Sequence, residues 1–232
     1  LPIYIKLSSQ LELNLSNLKS SQDNILEKIL KSIDYCKEEG TLSFAHVARA
    51  GFIGVSFLKS FINIGIIKKQ KIDQFLSSLT SVLSNFKEDI KIFDNEGLIK
   101  KYGHLRPGTY DINSEAYWEN PKKYFSKKTY SSNNKTKNIN FSFSNKEMKS
   151  IDNELKKYNL SFSAVELINY IKIAIKSRED IKFEFSKNIS YALDMLTKFG
   201  ESINFNRNDM GYLTIFDIND YYKGVKSKKN LE

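Results

Sequence analysis

The sequence is poor in the residues that staple or chelate, with one cysteine, Cys36, and two histidines, His46 and His104, among 232 residues. A lone thiol cannot close an intrachain disulfide, and this set is too small for a structural zinc site, so no metal is expected. A reducing compartment fits best. Three prolines and ten glycines stand against abundant Lys, Asn, Ile, Ser and Phe, a bias that reflects an AT-rich bacterial genome and carries no functional weight. No N-terminal stretch combines a basic start, an apolar core and a small-residue cleavage site, so no secretory signal is visible and a cytoplasmic location is expected. Strict apolar/polar alternation is also missing, which predicts little sheet, and there is no internal repeat.

What is present is 41% hydrophobic and 27% charged, with 36 Lys plus Arg against 27 Asp plus Glu and a formal charge of +9. A chain of this length can bury roughly 70–75% of its unfolded surface. We expect one all-α domain over residues 1–230, an irregular helical bundle with a long helix in its C-terminal half. The opening at Leu1-Pro2 and the closing Leu231-Glu232 lead us to expect an excised domain whose last two residues are a cloning remnant.

Apolar residues at helical spacing run from Ile25 to Cys36, with Asp23 as the expected cap and Gly40 as the expected stop. A second pattern, Ile72 through Phe86, predicts one amphipathic surface helix. A third helix should start at Ser144, where Glu147 completes a capping box, and the longest at Ser163 with Glu166, extending toward Gly200 with room for a break near its middle. Residues 122–140 carry Lys122, Lys123, Lys127, Lys128, Lys135 and Lys137 among Ser, Asn and Thr, and read as a mobile surface loop. Leu42 to Ile67 is apolar on nearly every side. A membrane span is not expected there, because Arg49 inside it would cost about 2.5–3.5 kcal/mol on insertion scales; Ala45, Ala48, Ala50, Gly51 and Gly54 instead predict a helix buried by its neighbours.

Three features depart from plain packing. On the Leu42–Ile67 helix, His46, Arg49, Ile53 and Ser56 share a face. In the long helix, steps of three and four lead from Ile175 to Arg178, Lys182 and Phe185, which puts cations where the seam should be apolar, with Glu179 and Asp180 beside them as possible structural partners. The least ordinary segment is Tyr102-Gly103-His104-Leu105-Arg106-Pro107-Gly108-Thr109-Tyr110-Asp111-Ile112. Its Gly and Pro residues set a tight irregular turn, and a turn of this kind presents side chains rather than packing them. Arg offers a planar fork for carboxylate or phosphate, while His and Asp can move protons or orient an amine. The three sets together predict one cleft, with His104, Arg106 and Asp111 as catalytic candidates and His46, Arg49, Thr109, Tyr110, Arg178, Glu179 and Lys182 as substrate-binding candidates.

The segment GHLRPGTYDI, with FAHVARAGFIGVSFLKSF at 44–61 and SREDIKFEFSKNIS at 177–190, resembles the helical middle domain of multidomain bacterial kinases related to phosphoenolpyruvate synthase. The likeness spans roughly Leu42 to Asp217. It implies that this chain binds the acceptor, L-glutamine being the one expected, for capsule phosphoramidate synthesis. An ATP-grasp-like domain and a swivelling phosphohistidine domain of the same polypeptide would supply the phosphoryl group with release of AMP and phosphate. The chain has no GxxxxGK[ST] loop, so ATP and Mg²⁺ are expected on the ATP-grasp-like domain, with no cofactor bound here. The resemblance further implies that the seam cations and Glu179 hold the zwitterion, Arg106 stabilises phosphoryl charge, and His104 or Asp111 takes the amide proton. Two other functions compete. A nucleic-acid module would use the surplus charge, but its basic groups lie in loops and no recognition-helix pattern is present, so no nucleic acid is expected. A scaffold domain would leave the His-Arg-Tyr-Asp turn unexplained.

Overall fold

A computed structural model describes residues 2–79, 82–126 and 141–231. All regular elements among them are helical, as the absence of period-two patterning predicts. The chain begins with α1 (Pro2–Ser20) and α2 (Ile25–Tyr35), and α3 (Leu42–Asn63) follows after a π-helical turn, Cys36–Thr41. Gly40 therefore does not stop the first helix. It lies inside the π turn, where an added Cβ would sit 2.4 Å from the Phe185 ring. The Thr41 hydroxyl bonds the Cys36 carbonyl at 3.0 Å, satisfying a backbone group that the wider turn loosens. The cap of α2 is Asn24, in a capping box with Glu27, rather than Asp23, which instead pairs with Lys31 at 2.8 Å.

The expected single helix over Ile72–Phe86 is two helices, α4 (Lys69–Ser78) and α5 (Val82–Ile92), with Leu79 extended between them. Then come α6 (Asn95–Tyr102), a long irregular loop, the short α7 (Pro121–Tyr124) and α8 (Asn145–Lys157), whose Ser144/Glu147 box forms as predicted. The loop predicted over 122–140 thus opens in a helical turn, and residues 127–140 lie outside the described set. The spine is α9 (Ala164–Ser202), 39 residues without a break, capped by Ser163 and Glu166. At 1.5 Å per residue it is about 58 Å long. Two short helices, α10 (Arg207–Gly211) and α11 (Ile215–Tyr222), close the chain against its end.

The helix from Ile25 to Asn63 runs antiparallel along α9. Ser32 donates to the Asn188 carbonyl at 3.0 Å, while Gly54 faces Ile171 so closely that a Cβ would lie 3.2 Å from Cγ1. Small residues on both partners permit this approach, which is what Gly51 and Gly54 predict. The buried line of α9 runs through Ile171, Ala174, Ser177, Ile181, Asn188 and Ala192, one residue away from Arg178 and Lys182. One residue is a rotation of about 100° on an α-helix, enough to take both cations out of the seam.

Burial of α3 by its neighbours is also only partial. Ser43, Val47, Gly51, Gly54, Leu58 and Phe61 face inward, whereas Phe52 and Ile53 are 62% and 52% exposed and Arg49 is exposed beside them. By length and composition the Ile25–Asn63 helix could cross a membrane, yet its inner face packs on α9.

Among the described residues, three apolar clusters hold the bundle. One joins α3, α4, α8 and the start of α9 around Phe75, Leu58, Ile151 and Ile171. A second joins α2, α10, α11 and the end of α9 through Ile29, Phe199, Met210 and Ile218, with Leu231 buried in it. The third, Phe86, Ile90, Leu98, Tyr102 and Phe125, sits under the irregular loop. Cys36 is buried, and that burial pushes its thiol up to about 12, so it is an inert core residue.

Candidate functional site

The loop after α6 returns on itself. Tyr117 donates to the Leu105 carbonyl at 2.8 Å and Trp118 to the Gly103 carbonyl at 3.0 Å, so the segment between them forms an Ω-shaped excursion on the flank of α9. Inside it, Gly108 N–H bonds Ser114 Oγ at 2.9 Å, and a Cβ on Gly108 would come within 3.0 Å of Asp111 Cβ. This crowding accounts for the glycine. The Gly/Pro punctuation therefore builds a rigid platform that leans on α9.

Between this platform and α9 lies a cleft of about 280 Å³, lined by His104, Arg106, Thr109, Glu179, Lys182 and the rings of Phe86, Tyr117 and Phe183. Five of the predicted site residues thus meet, although they are as far apart in sequence as His104 and Lys182. The other five do not line it. Tyr110 is 67% exposed and meets Phe185 edge-on at 6.5 Å, and Asp111 is exposed, its carboxylate accepting the Asn113 N–H at 2.9 Å. His46 and Arg49 lie on α3, and Arg178 turns toward Gly51 on that helix and pairs with Glu179 at 2.8 Å. The ion pair was the plainer expectation for Arg178.

Arg106 is not free to meet a substrate. Its side chain is 2% exposed, Nε donates to Ser190 Oγ at 3.1 Å, one terminal nitrogen donates to the Ser114 carbonyl at 2.6 Å, and the other pairs with Asp194. Glu119 lies 3.8 Å from the guanidinium and is itself bound by Arg207 of α10. The guanidinium is therefore the bolt that fastens the platform to α9, and the fork geometry predicted for an anion is spent on internal partners.

His104 is likewise unsuited to take a proton. Burial, and then the ammonium groups of Lys187 and Lys19, push its pKa down to about 3, with the Phe183 carbonyl working weakly against them. An imidazole of so low a basicity holds little affinity for a substrate proton near neutral pH. Its Nε2 is buried without a described partner, and its ring stands edge-on to Phe183 at 4.7 Å.

The depressed value has a consequence for stability. The unfolded chain, with an imidazole near 6.5, binds a proton that the folded chain refuses until about pH 3. Stability should therefore fall as pH drops through that window. Urea midpoints are expected to decline less steeply in acid for His104→Leu than for the parent protein, and equal slopes would show that His104 is not buried neutral.

In the cleft, Glu179 spends only Oε1 on Arg178, which reaches it through both Nε and a terminal nitrogen. No described carboxylate pairs with Lys182. Glu179, with one oxygen not used by Arg178, and Lys182 thus line the same cleft, a combination of charges that suits a small zwitterion. Sequence reasoning missed Asp194, Ser190 and Glu119, the partners that occupy Arg106. Nothing in the spacing of a 39-residue helix marks Asp194 as the partner of a residue in a loop. A comparison with protein families, with curated proteins and with solved structures finds no match to this chain.

Proposed function

We propose that this chain is the acceptor-binding middle domain of a cytoplasmic, ATP-dependent phosphotransferase of the phosphoenolpyruvate synthase kind, acting through a phosphohistidine, with L-glutamine as acceptor. The observation that carries the reading is that Lys182 and Glu179 of α9 line one cleft of about 280 Å³ together with Thr109 and His104. Lys182 suits the α-carboxylate and the free Glu179 oxygen the α-ammonium, leaving the side-chain amide to extend along Phe86, Tyr117 and Phe183. With Arg106 and His104 committed to the wall, the cleft contributes positioning rather than general-base catalysis. That suffices for much of a loose phosphoryl transfer. ATP, Mg²⁺ and the phosphohistidine belong to other domains of the intact enzyme.

Calorimetric titration of the chain with L-glutamine, with L-glutamate, L-asparagine and duplex DNA as comparisons, tests this directly. Saturable binding of L-glutamine is expected. Lys182→Ala and Glu179→Ala are each expected to weaken it about tenfold, equivalent to about 1.4 kcal/mol. If no free amino acid gives saturable heat, the acceptor reading falls; salt-sensitive binding of DNA in its place would favour a nucleic-acid module.

A further inference from the structure

On the far side of His104 a second and larger cavity opens, about 680 Å³, between α1, α6 and α9. Lys19 reaches it from the last turn of α1, Lys100 from α6, and Lys187 and Lys198 from α9. The two described carboxylates that line it are both engaged: Glu12 lies 3.4 Å from Lys187, and Asp194 holds Arg106 and accepts Trp118 Nε1–H at 3.3 Å. Lys187 is shared with Glu184 at 2.7 Å. No described carboxylate lies within ion-pair distance of Lys19, Lys100 or Lys198.

Three helices that are remote in sequence thus bring unpaired ammonium groups to one concavity, against their mutual repulsion. Desolvation, and after it the neighbouring Lys187, holds the Lys19 ammonium below the ordinary lysine value, with the Asp194 carboxylate acting against them. Two aromatic walls bound the space. Tyr191 lies under Lys19, whose Nζ is 5.6 Å from the ring centre, and Trp118 stands 44% exposed. Low-dielectric walls around like charges focus a positive potential into such a basin. Ammonium groups act as point charges that converge on a compact, multiply charged oxyanion, whereas a planar carboxylate is matched better by an arginine fork.

We infer that this basin binds a phosphate-type dianion, either free or carried as a phosphomonoester. The inference is independent of what the neighbouring cleft accepts. His104 forms part of the wall between the two spaces, so an anion in the basin lies across one imidazole from the acceptor cleft.

Trp118 is the single tryptophan of the protein, so its emission reports the basin. The whole chain is titrated with inorganic phosphate and, separately, with phenyl phosphate at constant ionic strength, by fluorescence and by calorimetry. A saturable response to phosphate is expected. Lys19→Gln and Lys198→Gln should each weaken it about tenfold, while Lys59→Gln on the outer face of α3 should not. Lys100→Gln serves as a further probe should either variant lose its helical circular dichroism. Tighter binding of phenyl phosphate identifies a phosphomonoester whose organic group uses the aromatic walls, and equal affinities identify the free anion. Glu179→Gln should leave phosphate binding unchanged, which separates failure here from failure of the amino-acid cleft. Absence of saturable binding by both methods overturns the inference, as does unchanged affinity in the folded lysine variants.

Discussion

Arg106→Ala is expected to lower the unfolding free energy by about 3–5 kcal/mol, because it strips the partner from a partly buried carboxylate and leaves further polar groups unmatched. The Ser114 carbonyl and Ser190 Oγ would lose the guanidinium donor, and Asp194 would lose its cation and keep only the Trp118 Nε1–H at 3.3 Å. Arg106→Lys should recover little of this, since one ammonium on a flexible stem cannot span three acceptors held by a rigid fork. Urea denaturation of the single variants Arg106→Ala and Asp194→Ala and of the double variant checks the account. The double variant should be appreciably more stable than the summed single effects imply, with a coupling of about 0.5–3 kcal/mol. A loss below about 1 kcal/mol for Arg106→Ala would show that the guanidinium is not the fastening point. Because Arg106 also lines the cleft beside α9, any fall in ligand binding by this variant must be compared with its melting before it is assigned to contact.

Phe75→Ala should cost a similar amount, about 3–5 kcal/mol, for a different reason. Phe75 is fully buried at the centre of the cluster that joins α3, α4, α8 and α9, and its ring lies 5.2 Å from that of Phe143. Truncation removes transfer free energy and leaves a cavity that four helix faces cannot all close. Tyr212→Ala, at a position 81% exposed, is the matched control and should move stability by no more than about 0.5 kcal/mol. Phe75 belongs to a different apolar cluster from the one beneath the irregular loop. Under conditions where the variant remains folded, its affinity for the cleft ligand should therefore match that of the parent. An altered affinity would mean that the two clusters are coupled along α9.

The apolar pattern that includes Phe75 shows why helices were easier to read than their limits. Ile72, Phe75 and Leu76 pack as a helical face should, but the same spacing continues past Leu79, where the backbone becomes extended. Periodicity records which residues can share a face and does not record where the chain turns away. Gly40 shows the converse. As a helix breaker it reads as a stop, yet under the Phe185 ring the absence of a Cβ is what lets the helix pass.

The sequence by itself determined the all-helical class and the starts of α8 and α9, because a capping box is complete within four residues and owes nothing to distant neighbours. It also singled out the segment 102–112 as more than a connection, and His104, Leu105, Arg106 and Thr109 of that segment do line a cleft that includes Lys182 and Glu179, whereas Tyr110 and Asp111 do not. Tertiary structure alone decided what each side chain there can do. Whether position 177 or 178 is buried depends on how α9 is rotated against its neighbours: Ser177 is buried, whereas Arg178 lays only its stem near Gly51 and keeps its guanidinium on Glu179, and adjacent positions differ by about 100° of rotation. Whether Arg106 is available depends on Asp194 and Ser190, which lie more than eighty residues away in sequence. The basicity of His104 depends on burial and on lysines from two other helices. Each of these is a property of packing and field, which arise only when remote segments come together, whereas caps and periodicity act along the chain itself.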